Sequence, residues 1–104
     1  CLARALECQS AVVLAPTTGD APWCAAVDTN VGAAGVYLPA DRGVSETGVL
    51  AEGRVGEPGW CMASVDLAAL RAARADGEVR TFAHWPEQPG ATPLGSLVEV
   101  VGLT

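Results

Sequence analysis

The sequence contains no lysine. All six basic side chains are arginines, against 12 acidic residues, which gives a net charge of −6. Nucleic-acid binding depends on clustered positive charge, and neither the overall balance nor any local run supplies it, so we expect no nucleic-acid partner. Long apolar runs are absent too. A membrane helix needs about 20 apolar residues, so we expect no membrane partner.

Histidine and paired cysteines are also scarce. His84 is the only histidine, and Cys1, Cys8, Cys24 and Cys61 include no CxxC pair. Metal sites need closely spaced thiolates or Cys/His groups, so we expect no metal and no cofactor. On one helix Cys1 and Cys8 would lie about 10 Å apart, beyond the reach of about 7 Å for a disulfide. We expect reduced cysteines and a cytoplasmic location.

No catalytic constellation is visible. Covalent catalysis brings together a nucleophile, a base and an orienting group, whereas the acidic residues here are spread through turns and helix ends. A pairing of His84 with a cysteine stays open as an alternative, without a local signature. We assign no catalytic residue to this chain.

What the sequence does contain is a meander of short apolar segments between residues 31 and 64. Turn residues bound each segment, which is typical of strands joined by short reversals. A further apolar run at 11–15 predicts a buried strand. Because such strands cannot bury both sheet faces alone, other segments must cover them. The predicted meander strands are 36–38, 49–51 and 60–64.

Two helices are predicted on either side of the meander. The first is LARALECQ, residues 2–9, in which Arg4 and Glu7 can pair across one turn. The second follows Asp66, a suitable N-cap. We expect Leu67 and Leu70 on its buried side and a left-handed Gly77 at its end.

The loop that follows the first strand is the best pocket candidate. It begins at Thr17-Thr18-Gly19-Asp20 and contains Trp23. Strand ends are where α/β proteins usually bind small molecules. The alternative is that Trp23 only covers the core.

The C-terminal part differs in composition. Residues 82–96 contain three prolines and two glycines, so no regular structure is expected there. Phe82 and Trp85 are large apolar anchors, which favours an extended arm lying on another surface. Residues 97–101 predict a last strand.

Taken in order, these segments resemble the C-terminal portion of the nitrilase, or carbon–nitrogen hydrolase, superfamily. The first resembling segment is ARALECQSAVVLAPTTG, which fits a family pattern R-A-x-E-N/T-Q. The second is VGAAGVYLPADRG with GVLAEG, and the third is GWCMASVDLAALRAAR, which fits D-L-x-x-L-x-x-x-R. The matching positions are Arg4, Ala5, Glu7 and Gln9 in the first pattern, with Cys8 where the family often has Asn, and Asp66, Leu67, Leu70 and Arg74 in the last.

The resemblance implies an α/β fold that forms part of a four-layer α-β-β-α sandwich. Residues 1–85 would be the C-terminal half of the hydrolase domain, and 86–104 a proline-rich arm with a terminal strand. It also implies hydrolysis of an amide or nitrile C–N bond by a Glu–Lys–Cys triad through a thioester. All three triad residues lie upstream of the matched region in the family, and this chain has no lysine.

The family also implies roles for particular residues and partners. Thr17, Thr18, Gly19 and Trp23 would border the substrate pocket, and the helix with Arg4 and Glu7 and the arm with Phe82 and Trp85 would make dimer contacts.

Two hypotheses follow. In the first, the chain is a hydrolase segment that is inactive without the N-terminal half, because the triad lies in that half. The sequence opens inside a helix, so we expect it to be the rear part of a longer protein. In the second, it is a non-catalytic module that self-associates, because 50% hydrophobic residues is a high fraction for 104 residues.

Overall fold

A computed structural model of the chain describes residues 1–87, apart from the side chain of Phe82. Within this range one short helix is followed by five short strands and then by three helical segments, in a mixed α/β arrangement. The helices are α1 (Leu2–Cys8), α2 (Leu67–Asp76), α3 (Thr81–His84) and a 3₁₀ helix (Trp85–Glu87), and the strands are β1 (Val12–Leu14), β2 (Thr18–Asp20), β3 (Thr29–Val31), β4 (Gly35–Tyr37) and β5 (Val49–Glu52).

The strands form two separate antiparallel sheets. One has the order β1-β4-β5, and the other is the β2–β3 hairpin, which is inserted between β1 and β4. Val13 pairs with Val36, and Val36 with Ala51. A bulge then makes Leu50 the extra residue of β5, because Tyr37 pairs with Val49. The predicted strands at 11–15, 36–38 and 49–51 are therefore confirmed in place, although the first is shorter, the second is shifted by one residue and the third is one residue longer.

The core of the described residues is small. Its buried apolar side chains come from α1, β4 and the residue after it, and α2. Two polar side chains, Gln9 and Asp41, are buried with them. Around this core many large apolar side chains stay exposed, including Val13 of β1 at 72%. The buried apolar residues are Ala5, Val36, Tyr37, Leu38, Leu70 and Ala73.

Helix α2 begins as the sequence predicts but differs at its buried side. Asp66 Oδ1 accepts hydrogen bonds from the backbone N–H groups of Ala68 and Ala69 at 2.8 and 3.1 Å. Leu70 is buried as expected, whereas the prediction for Leu67 is wrong, because its side chain is 64% exposed. Ala73 takes the second buried position instead, three residues after Leu70 and so on the same helix face.

The end of α2 also differs from the expectation. Gly77 is not left-handed but extended, with φ −69° and ψ 174°. Only glycine fits at this position, because a Cβ on residue 77 would collide with the carbonyl oxygen of Ala73 and with Oδ2 of Asp41. Gly77 therefore does end the helix as predicted, but glycine is needed there because of close packing and not because of a left-handed backbone.

Three further predictions are corrected. Residues 60–64 belong to no strand, because no strand among residues 1–87 pairs with them. Residues 18–20 form a strand rather than a loop, because Thr29–Val31 pairs with them. Residues 82–87 are helical, and Pro86 fits the 3₁₀ helix because the first turn needs no N–H donor. The predicted strand at 97–101 and the rest of the arm from 88 onward lie outside the described residues.

Candidate functional site

The junction between α1 and α2 is held by Gln9. This residue ends α1 in the left-handed conformation, with φ 46°, and its side chain is almost completely buried. Gln9 Nε2 donates to the carbonyl oxygen of Ala73 at 3.2 Å, and Arg74 Nε donates to the carbonyl oxygen of Gln9 at 2.9 Å. These reciprocal bonds fix the start of the chain against the second half of α2.

A second buried polar group, Asp41, lies at the C-terminal end of α2. The Asp41 carboxylate accepts backbone N–H bonds from Arg42 at 2.7 Å, from Glu78 at 2.9 Å and from Val79 at 3.2 Å. The bond from Glu78, supported by those from Val79 and Arg42, lowers the pKa of Asp41 although burial opposes this. Asp41 therefore fastens the loop after β4 to the chain leaving α2.

An open concavity of about 700 Å³ lies beside Asp41. Its lining comes from residues 40–46 of the loop together with Glu78. All the acceptor bonds of Asp41 go to backbone groups of the fold, so the carboxylate acts as a structural brace there. The concavity presents no buried polar side chain without a partner.

The predicted pocket residues lie at the β2–β3 hairpin. Thr18 and Gly19 are in β2, opposite Val31 and Asn30. Asn30 braces the hairpin: its Nδ2 donates to the carbonyl oxygens of Gly19 and Val27 at 3.2 and 2.7 Å, and its Oδ1 accepts from Thr17 Oγ1 at 2.8 Å.

Asn30 thus brings Thr17 and Gly19 together, but Trp23 stands apart in the loop at the hairpin tip. Trp23 is 82% exposed, so the alternative that it covers the core is wrong. The sequence analysis missed Asn30. Its only local signal is the polar triplet Asp28-Thr29-Asn30, which does not reveal the hairpin partner.

A third polar contact links strands β4 and β5 and involves Tyr37, the one tyrosine of the chain. Tyr37 Oη donates to Glu52 Oε1 at 3.1 Å, across the two strands. Burial is the main cause that raises the pKa of Tyr37, and the hydrogen bond and negative charge of Glu52 add to it. The pair lies in an open groove of about 510 Å³ between the start of α1 and the sheet, lined mainly by apolar side chains such as Leu2 and Leu14.

The predicted interface residues fall into two separate groups. Arg4 Nη1 and Glu7 Oε2 form an exposed ion pair of 3.2 Å on α1, as the spacing predicts. Trp85 is exposed at the start of the 3₁₀ helix. Phe82 lies in α3, and its side chain is outside the described part of the structure.

All four cysteines are free thiols. No group of three or more His, Cys, Asp or Glu side chains is placed to hold a metal ion within residues 1–87. Nor is any helix of the described range long and apolar enough to cross a membrane.

Comparisons with known proteins give no further identification. No protein-family model matches the chain, and neither do any curated protein or solved structure.

Proposed function

We propose that this chain is the C-terminal segment of a carbon–nitrogen hydrolase that acts on a small amide or nitrile. In this proposal the Glu–Lys–Cys triad comes from an N-terminal half that precedes the segment, and the segment alone is inactive. Residues 1–87 provide the helices and the sheet that support the catalytic half. The cytoplasmic location is part of the same proposal.

The observation that carries the proposal is the contact between Gln9 and the end of α2. Gln9 and Arg74 belong to the two segments with the most family-like patterns, R-A-x-E-x-Q and D-L-x-x-L-x-x-x-R. Gln9 and Arg74 are 65 residues apart in the chain, yet Arg74 Nε donates directly to the carbonyl oxygen of Gln9, and the Gln9 side chain donates to the neighbouring Ala73. Both patterns therefore contribute to the same contact between the ends of α1 and α2, which is a physical reason for them to occur together in one sequence.

The exposed apolar side chains support the proposed N-terminal half as a partner. Trp60 is 96% and Met62 84% exposed, in the segment 60–64 that the sequence predicts as a strand but that has no partner strand within residues 1–87. Large exposed apolar side chains close together are typical of surfaces that another chain or segment covers. A strand from the N-terminal half would pair with this segment and bury both side chains.

Within the proposed enzyme, the hairpin residues have the role that the family resemblance implies. Thr17, Thr18, Gly19 and Trp23 would border the substrate pocket, with Asn30 holding the backbone around Gly19 in place. Arg4 and Glu7 on α1, and Phe82 and Trp85 near the arm, would lie in contacts between subunits.

The test begins with the coding sequence upstream of the codon for Cys1. We expect an in-frame extension that encodes Glu, Lys and Cys in family-like surroundings. The extended protein is then assayed for ammonia release from a panel of small amides and nitriles, with an alanine variant of the upstream cysteine as control. Turnover by the extended protein, lost in the cysteine variant and absent from residues 1–104 alone, supports the proposal. An upstream frame without these residues, or turnover by residues 1–104 themselves, overturns it.

A second candidate function is a non-catalytic module that self-associates. The same exposed residues, Trp60 and Met62, favour it, because a second copy could cover them as well. Sedimentation velocity at micromolar concentration distinguishes this candidate. If the chain self-associates in this way, it should sediment as a dimer. Trp60→Ala should dissociate the dimer, whereas Trp23→Ala, at an exposed tryptophan on the hairpin, should leave it intact. A monomer with a cooperative thermal transition excludes it.

A further inference from the structure

We draw no further inference here: the strongest candidate, the apolar surface patch of Trp23 and Val27 at the tip of the β2–β3 hairpin, is exposed, and nothing in the structure shows what covers it.

Discussion

Arg74 on α2 donates from its Nε to the backbone carbonyl oxygen of Gln9, 2.9 Å away, while the buried side chain of Gln9 donates back to the carbonyl oxygen of Ala73. The Arg74 bond gives a donor to the carbonyl group at the C-cap of α1, where helix carbonyls lack partners within the helix. The Gln9 bond adds a second donor to the Ala73 carbonyl, which also accepts the N–H of Gly77 at 2.8 Å. The two helices are therefore joined through their C-terminal ends, by atoms that neither sequence pattern identifies as partners.

The Arg74 bond can be measured against a matched arginine on the same helix. We expect Arg74→Ala to lower the free energy of unfolding by about 1 kcal/mol, because it removes a hydrogen bond from a charged donor and leaves the Gln9 carbonyl unpaired. Arg71 is exposed, so Arg71→Ala should change the free energy of unfolding by less than about 0.5 kcal/mol. Urea unfolding followed by circular dichroism gives both values, and equal losses would contradict the role of the bond.

Gly77 and Gly59 form a second matched pair. Gly77→Ala should destabilise the chain by about 1–3 kcal/mol, the usual cost of forcing extra volume into a filled site. The new methyl group would meet Ala73 and Asp41. At Gly59 a Cβ has nothing within 4 Å, so Gly59→Ala should be neutral or stabilise by up to about 1 kcal/mol. Thermal unfolding of both variants measures the difference, and a harmless Gly77→Ala would show that the Asp41 contact is loose.

Asp41 gives a pH prediction. Its pKa is lower in the folded chain than in the unfolded chain, so the unfolded state binds the proton first as pH falls. The stabilisation is therefore complete above the unfolded-state pKa, about 3.9, and is lost as pH falls from there through the lower folded-state value.

Asp41→Asn tests this assignment. The amide keeps one acceptor oxygen but turns an N–H₂ group toward backbone donors, so we expect a loss of about 1–3 kcal/mol near neutral pH and a shallower loss below pH about 4. Glu46→Gln is the control, since Glu46 is an exposed acid in the same loop. If both variants keep the full acid dependence of the parent, Asp41 is not its source.

Asn30 predicts a local effect. Asn30→Ala removes three hydrogen bonds that brace the hairpin, and an isolated two-stranded hairpin is marginally stable in water. We expect faster amide hydrogen exchange in β2 and β3 with little change in β1, β4 and β5. Thr29→Ala, at the exposed neighbouring position of β3, should leave the hairpin exchange rates near the parent values. Uniformly faster exchange in both sheets would mean that the hairpin is part of the main cooperative unit.

Tyr37 allows a direct titration, because it is the only tyrosine. Tyrosinate absorbance should rise at a pH above the ordinary range for tyrosine, since the pKa of Tyr37 is raised. Glu52→Gln removes the negative charge but not the burial, so the midpoint should fall only part of the way back. A midpoint unchanged by Glu52→Gln would assign the whole shift to burial.

Local signals were enough for several elements. Asp66 and the alanine-rich segment after it predicted the start of α2 correctly, because a capping carboxylate acts on N–H groups two and three residues away. The ion pair of Arg4 and Glu7 is likewise set by one helical turn. The strand at 49–51 was visible from its apolar residues and bounding turns.

Other features could not be predicted from the sequence, because the residues that they contact lie far away along the chain. The strand at 18–20 exists because 29–31 pairs with it, and the glycine at 77 is required by an aspartate 36 positions earlier. Residues 60–64 have the composition of a strand, but a strand also needs a neighbour to receive its backbone hydrogen bonds. Trp23 was weighed as a core cover from its size, while its exposure depends on the packing around the hairpin.

By itself, the sequence determined what depends on neighbours within one or two turns: the cap of α2, the ion pair of α1 and the turn-bounded apolar runs. Tertiary structure alone decided which backbone groups the buried Gln9 and Asp41 satisfy, and which large apolar side chains stay in water. The reason is that burial and long-range hydrogen bonds depend on distances between segments far apart along the chain, which residue order does not encode locally.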